Sequence, residues 1–185
     1  MTNNPSLIIV LVEDEHHEML VRRYLKRFGL NEHKMRMNRS PSGRGSAEDW
    51  VRKEFPKEIK AYRRRQASAQ TSLIVMIDAD AHSVQERLNQ LDQALTEGAQ
   101  QAVGEQERVA RLVPKRNVET WILCLNNEPD LDENTNYTRE RRNWHALIAP
   151  AAETLCQWTQ SPDDLPTHCL SSLRIGVREL RRLRS

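Results

Sequence analysis

The sequence has few of the residues that mark specialised protein classes. Its 185 residues include only 6 glycines and 8 prolines, which excludes a collagen-like or low-complexity chain. The three cysteines, Cys124, Cys156 and Cys169, are widely separated and lack metal-ligand spacing. No histidine has cysteine partners at the spacing of a zinc finger. We therefore expect a globular chain with free, buried thiols and no zinc site.

Long hydrophobic runs are also lacking. The apolar run from Leu7 to Val12 is far too short for a signal peptide or a membrane span, and no basic segment precedes it. We therefore expect a cytoplasmic protein with no membrane partner. The formal net charge is only +2, but arginines cluster around residues 63 to 65, 139 to 142 and 174 to 184. These clusters permit a polyanionic partner such as nucleic acid.

Apolar runs of strand length alternate with segments of helical periodicity. Residues 6 to 12 and 72 to 77 are continuous apolar runs, typical of strands buried on both faces of a parallel sheet. Further strands are predicted at 33 to 38 and 108 to 113. Helices are predicted over 14 to 28, 46 to 65, 83 to 96, 118 to 125, 139 to 158 and 167 to 183, with a kink or restart at Pro56. Trp50, Trp121 and Trp144 have apolar neighbours at helical spacing, which favours the core over a base-stacking role.

This alternation predicts an α/β fold with a mainly parallel central sheet of about four strands, flanked by helices and followed by C-terminal helices. The length favours a single domain over residues 1 to 185. Its core is expected over about residues 6 to 125, and a helical extension over about 137 to 185. The turn-rich segment SPSGRGS, residues 40 to 46, matches no P-loop and is interpreted as a surface loop.

Acidic residues follow two of the predicted strands. Glu13 follows the first strand, and Asp78 and Asp80 follow the strand at 72 to 77. Residues two apart in an extended segment point the same way, and ligands of open α/β sheets bind at the carboxyl ends of the strands. Three carboxylates at one edge repel each other unless a cation neutralises them, and hard oxygen ligands suit Mg²⁺ or Mn²⁺. The sequence thus predicts a site for Mg²⁺ or Mn²⁺.

These residues resemble the TOPRIM domain of topoisomerases, primases and OLD-type nucleases, whose signature is a glutamate after the first strand and an Asp-x-Asp after a later one. Glu13 in IIVLVED and Asp78-Ala79-Asp80 in LIVMIDAD match that signature. PKRNVETWIL, residues 114 to 123, is similar to a segment of OLD-type and small TOPRIM proteins, and the resemblance implies that Glu119 is a further acid of the metal site. The resemblance covers about residues 6 to 125.

The resemblance implies metal-assisted hydrolysis of phosphodiester bonds, with Glu13, Asp78 and Asp80 as metal ligands and catalytic residues. Glu13 alternatively accepts a proton. The chain lacks room for the tyrosine-bearing domains of topoisomerases and shows no primase zinc module, so nuclease activity is what remains. Small TOPRIM proteins are often associated with bacterial phage-defence or mobile-element systems, which implies a protein partner in a larger assembly.

The chain departs from the TOPRIM pattern at two positions. Asp14 stands where the family usually has glycine, and His17 stands where OLD-type proteins often have another acid. His17 is either a metal ligand or a polar residue of the first helical turn. We favour the second interpretation, which leaves one metal position weak or empty.

Four basic residues are candidates for nucleic-acid binding. Lys115 and Arg116 follow the last predicted strand, and Arg63 and Arg64 belong to a basic helical run. That run is either a solvated helix face, which we favour, or a surface that contacts phosphates.

Two other functions compete with the nuclease. The segment LIIVLVEDEHHEMLVRRYL resembles the start of a response-regulator receiver, in which Asp78 would be the phosphoacceptor. However, Asp78 lies 64 residues after Asp14, and Pro114-Lys115 stands where a receiver has Lys-Pro. The third interpretation is a non-catalytic scaffold or binding subunit whose acids are simply solvated strand-end residues.

Overall fold

The computed structural model describes residues 5–43, 45–161 and 163–183 and contains a four-stranded, all-parallel sheet flanked by helices. The strands are Leu7–Val12 (β1), Met35–Arg39 (β2), Thr71–Met76 (β3) and Val109–Leu112 (β4). The helices are Glu15–Arg27 (α1), Ala47–Arg65 (α2), Val84–Glu97 (α3), Val118–Leu125 (α4), Trp144–Gln160 (α5) and Ser171–Arg182 (α6). The predicted α/β class, parallel sheet and C-terminal helices are confirmed. The predicted domain limits, residues 1 and 185, and Arg44 of the surface loop lie outside the described residues.

The strand order is β2-β1-β3-β4, and the register aligns the ends of the two central strands. Val12, the last residue of β1, lies opposite Met76, the last residue of β3. Because the strands are parallel, the residues that follow them leave the sheet at the same edge. We call this the carboxyl edge and the opposite one the amino edge.

Side chains of the two central strands alternate between two hydrophobic layers, as expected for a sheet covered on both faces. Ile8, Val10 and Val12 belong to one layer, which α1, α4, α5 and α6 cover. Ile9 and Leu11 belong to the other layer, which α2 and α3 cover. Thus the C-terminal helices complete the core rather than forming a separate unit.

Pro56 does not restart α2, although a restart was one of the two predicted outcomes. The helix is uninterrupted from Ala47 to Arg65, and Pro56 lies inside it. The proline ring packs against the end of α3, where a Cβ atom on Gly98 would lie 2.5 Å from the Cβ of Pro56. This close contact with α3 offsets the hydrogen bond that proline removes from the helix.

The predicted start of α5 at residue 139 was also wrong, because Tyr137–Arg139 form a short 3₁₀ turn instead. Asn143 then caps α5 by accepting a hydrogen bond from the backbone N–H of Ala146 at 3.2 Å. Similarly, α6 begins at Ser171 rather than at residue 167, since the carboxylate of Glu133 accepts the N–H of Ser172 at 2.9 Å.

The aromatic and sulfur side chains lie mainly in the core. Trp121 and Trp144 are buried and Trp50 is half-buried. The indole N–H of Trp121 donates to the hydroxyl of Ser172 at 2.8 Å, which joins α4 to α6. All three cysteines are free and buried, as predicted. Within the described parts of the chain, no helix combines the length and apolar character needed to cross a membrane.

Candidate metal centre

The β1–α1 turn brings two carboxylates to the carboxyl edge. Glu13 follows β1 directly, and Asp14 is the N-cap of α1, where its Oδ1 accepts the backbone N–H of His17 at 3.0 Å. This is the usual role of aspartate before a helix, because the first backbone N–H groups of a helix have no partner within it. The cap fixes the Asp14 carboxylate beside the end of β3.

His17 lies between two aspartates and is fully buried. Its Nε2 is 2.9 Å from Oδ1 of Asp78, and its Nδ1 is 3.0 Å from Oδ1 of Asp14. The second contact lacks the direction of a hydrogen bond, so Nδ1 is a buried polar atom without a well-aligned partner. His17 thus lies in the first turn of α1, as the favoured interpretation had it, but it is fully buried between two acids.

The donor atoms of Asp14, His17 and Asp78 all lie within 4.8 Å of one another. Asp78 exposes only 7% of its surface, whereas the side chain of Asp14 is about half exposed, which leaves the group open to solvent on one side. Two carboxylates and an imidazole form a donor set that suits a divalent metal ion. The unaligned Nδ1 of His17 fits the same interpretation, because a ligating histidine uses one nitrogen for the metal and the other for a carboxylate.

Burial and mutual repulsion disturb the ionisation of these groups. Burial raises the pKa of Asp78 to about 6, although the charge of His17 opposes the shift. Burial by itself would lower the pKa of His17, but Asp78 and Asp14 together raise that pKa well above its usual value. Burial also disfavours ionised Asp14, yet His17 holds the pKa of Asp14 below its usual range. The two aspartates therefore favour a proton on His17, and a metal ion bound there would have to compete with that proton.

The side chain of Glu13 contacts the same group through the backbone N–H of Asp78. Its Oε1 accepts the N–H of Asp78 at 2.6 Å. Burial raises the pKa of the Glu13 carboxyl to about 8, with His17 opposing the shift and the negative charge of Asp78 adding to it. Glu13 is thus a carboxyl group with a high affinity for protons, positioned beside the candidate ligands.

Asp80 lies outside the group, although the sequence predicted it as a metal ligand. β3 ends at Met76, and Asp80 has a left-handed backbone with φ of 55°. Its Oδ2 lies 3.4 Å from the buried guanidinium of Arg87. Arg87 also binds Glu48 at the start of α2. Asp80 therefore belongs to an ion-pair cluster that joins the β3–α3 turn to α2.

Glu119 is buried in the first turn of α4 and contacts a histidine. Its Oε1 lies 2.6 Å from Nδ1 of His16, which leaves Nε2 of that ring free of Glu119. The ring of His16 lies 6.2 Å from the ring of Trp144 and 6.1 Å from that of His145, measured between centroids. Glu119 thus orients His16 next to the candidate ligands but is not one of the three clustered donors.

The four predicted nucleic-acid-binding residues lie at opposite edges of the sheet. Lys115 and Arg116 follow β4 at the carboxyl edge, where Nζ of Lys115 donates to the carbonyl of His82 at 2.8 Å. Arg63 and Arg64 lie in the last turn of α2, at the amino edge near the start of β3. Only Lys115 and Arg116 are therefore near the candidate metal centre.

The sequence prediction left Asp14 out of the candidate ligands and ranked His17 second as a ligand, although the sequence held a signal that His17 is buried. Residues 17, 20 or 21, and 24 fall on one face of a helix, and Leu20, Val21 and Tyr24 were recognisable as its buried face. A histidine in line with that face is expected to be buried. A buried imidazole next to acids then requires a partner or a metal ion.

Comparison with protein-family models, with curated proteins and with solved structures gave no match for this chain.

Proposed function

We propose that this chain is a TOPRIM-like, metal-dependent nuclease whose centre lies at the carboxyl edge of the sheet. The observation that carries this proposal is the fully buried His17 between Asp14 and Asp78, at the ends of two parallel central strands. Burial of two carboxylates around an imidazole is unfavourable unless a metal cation or a proton balances their negative charge. The order of Glu13 and Asp78 along the chain agrees with the TOPRIM signature.

In this proposal Asp14, His17 and Asp78 hold the metal ion, and Mn²⁺ is favoured over Mg²⁺. Carboxylates alone suit either ion, but an imidazole ligand is softer and suits Mn²⁺ better. The bound metal would polarise a phosphoryl oxygen and lower the pKa of the attacking water.

Glu13 is assigned the role of general base rather than ligand. One carboxylate oxygen, Oε1, accepts the N–H of Asp78, so Oε2 is the atom that takes the proton from water. Its pKa, raised to about 8 by burial, makes the ionised form of Glu13 a stronger base than an ordinary carboxylate. His16, fixed by Glu119, supplies a further polar group beside this position.

A cleavage assay tests the proposal with plasmid, single-stranded DNA and structured RNA, each with Mn²⁺ or Mg²⁺. We expect cleavage with Mn²⁺ that Asp78→Asn abolishes because a ligand is lost. Glu13→Gln should also abolish cleavage but should retain Mn²⁺ binding. The control is Asp92→Asn, which removes a carboxylate that pairs with Arg111 in the outer part of α3. Cleavage that survives in Asp78→Asn would contradict the proposal, and no cleavage of any substrate would favour the scaffold interpretation.

One observation favours a second candidate, the receiver-like phosphoacceptor domain. The strand order β2-β1-β3-β4 is also that of the first four strands in the doubly wound folds that include receivers. Against it, Asp78 is buried and its Oδ1 is engaged by His17. Incubation with a small phosphodonor, followed by intact-mass analysis, separates the two. A phosphorylated protein that is absent in Asp78→Asn would favour the receiver.

A further inference from the structure

A cationic groove of ≈ 470 Å³ follows the outer side of α1 where this helix packs against α5. We call it the α1 groove. Met19 and Ala149 form its apolar floor, and four basic side chains line it: Arg22, Arg23, Lys26 and Arg27. No described carboxylate is part of this lining, so the charged residues of the lining itself are all basic.

The α1 groove lies on the outer side of the helix whose first turn carries His17, a residue of the candidate metal centre. His17 lies in the first turn of α1, and the four basic residues follow it on the same helix. At 1.5 Å per residue, Arg22 lies about 7 Å and Arg27 about 15 Å from His17 along the helix axis. A chain that lies in the groove would therefore lead to the carboxyl edge of the sheet.

The basic residues of the groove are only weakly engaged within the protein. Arg22 pairs with Glu18 at 2.7 Å, Arg27 pairs with Glu153 at 3.0 Å, and Lys26 pairs with Glu32. Arg23 is exposed and has no ion pair among the described residues. The pairs of Lys26 and Arg27 are about half exposed, and exposed pairs of this kind contribute little to stability. Phosphate groups can therefore replace the carboxylates at low cost.

A second groove, of ≈ 490 Å³ between α2 and α3, provides a built-in comparison on the opposite face of the sheet. We call it the α2 groove. It is also lined by four basic residues, but two carboxylates share the lining: Arg52, Lys53, Lys57 and Lys60 with Asp49 and Glu97. Carboxylates therefore lie within the lining of the α2 groove, whereas the glutamates that pair with the basic residues of the α1 groove lie outside its lining.

We propose that the α1 groove binds the sugar-phosphate backbone of a single-stranded nucleic acid and directs it to the carboxyl edge. The interpretation of the bound strand as a substrate rests on the proposed nuclease function, but the binding of the strand does not depend on that function. All four cations come from one helix, as two adjacent i, i+4 pairs, and this narrow set of contacts suits one strand rather than a duplex. Phosphate contacts carry no base information, so DNA and RNA strands should bind with similar affinity.

Fluorescence anisotropy tests the proposal with a labelled single-stranded oligonucleotide, as DNA and as RNA, and with the matching duplex. EDTA in all samples prevents cleavage. The test variant Arg22→Gln/Arg23→Gln/Lys26→Gln should lower affinity at least about tenfold and should reduce the log–log salt slope by about 2, because three phosphate contacts are lost. The matched variant Lys53→Gln/Lys57→Gln/Lys60→Gln removes three charges from the α2 groove. It should change affinity less than about twofold.

Several results would overturn the proposal: no binding by the parent protein, equal losses in the two triple variants, or tighter binding of the duplex. Equal melting temperatures of parent and variants show that folding is not the cause of a loss. The nuclease proposal fails separately. If the oligonucleotide binds in the α1 groove but is never cleaved with Mn²⁺, the binding proposal is supported and the nuclease proposal is contradicted. If cleavage occurs and the α1 variant binds and cleaves like the parent, the nuclease proposal is supported and the binding proposal for the α1 groove is contradicted.

Discussion

The two edges of the sheet handle charge in different ways. At the amino edge Arg63 has a partner of its own: its Nε and Nη2 bind the two carboxylate oxygens of Glu107 at 2.8 and 2.9 Å. The same guanidinium also donates to the carbonyls of Gln101 and Ala102. Both side chains of this pair are about a quarter exposed. The amino edge is thus a closed, structural arrangement.

At the carboxyl edge three carboxyl groups, those of Glu13, Asp14 and Asp78, share the single charge of His17. Two of these carboxyl groups respond to the imbalance with raised pKa values, because their burial disfavours the charged form. Proteins seldom keep such an imbalance for stability alone. The comparison teaches that the basic residues most prominent in the sequence mark a structural edge, whereas the less prominent His17 marks the candidate functional one.

Removal of His17 should have the largest effect on the difference in stability between the two edges. His17→Leu leaves Asp78 buried without its cation, and we expect the free energy of unfolding to fall by about 3 kcal/mol. Urea denaturation measures this change. The variant His17→Gln, which keeps a polar side chain, separates the loss of charge from the loss of packing. A cost no larger than that of removing Arg63 at the amino edge would show that the two edges do not differ.

Added metal should stabilise the carboxyl edge alone. With Mn²⁺ at about 100 times its dissociation constant, the stability gain is about 2.7 kcal/mol, or a rise in melting temperature of about 5 to 10 °C. The rise should be larger near pH 8 than near pH 6, because the ion must displace the proton of His17. Differential scanning fluorimetry measures it. Asp78→Asn should lose the rise and Asp92→Asn should keep it. An equal rise in both variants would mean that Mn²⁺ binds elsewhere.

The edges should also respond to pH with opposite signs. The pKa of Glu13 is raised by burial from 4.5 to about 8, so its contribution to stability is complete below about pH 4.5 and is lost as the pH rises towards 8. A single such group changes stability by at most about 1.4 kcal/mol per pH unit. In EDTA, Glu13→Gln should flatten this decline in urea unfolding curves. A decline equally steep in the variant would exclude Glu13 as its source.

Glu107 provides the opposite sign at the amino edge. The hydrogen bond from Arg63 lowers the pKa of Glu107, so this pair stabilises the protein above about pH 4.5 and loses its effect as the pH falls through that lowered pKa. Glu107→Gln should therefore cost stability at neutral pH and nothing in strong acid. The same urea measurements, extended to about pH 3, check this.

The smallest effect is expected for Arg63, which the sequence suggested as a nucleic-acid contact. Arg63→Ala removes a partly exposed ion pair and should cost about 1 kcal/mol or less. It should leave oligonucleotide affinity unchanged because its guanidinium is already engaged at the edge away from the candidate site. Anisotropy with the oligonucleotide described above measures this, and a clear loss of affinity would return the amino edge to the binding surface.

The sequence was sufficient for the fold because its main features are local patterns. The buried strands are continuous apolar runs, and α4 has the predicted limits, residues 118 to 125. The parallel arrangement then placed Glu13 and Asp78 at one edge, since the ends of parallel strands must meet there. Two candidate acids of the centre could thus be brought together before their distances were known.

The details of the site depended on geometry that local patterns do not carry. The rule that residues two apart share a direction holds within a strand, but β3 ends before Asp78, and the positive φ of Asp80 turns its side chain towards Arg87. The edge at which Arg63 lies followed from the length of α2, which spans the whole sheet. The error over Asp80 came from extending a pattern past the end of its element.

The shortness of α4 has a consequence for how this protein can change over evolution. Glu119 faces the candidate centre, while two residues later Trp121 leaves no room for a Cβ atom on Gly176 of α6, which would lie 2.4 Å from its Cη2. A helix of eight residues is a rigid unit at this scale, so both contacts move together. A substitution that shifts α6 therefore shifts α4 and, through Glu119, also His16, without a direct contact between α6 and His16. Substitutions in α6 and substitutions at the candidate centre therefore act on the same helix, α4.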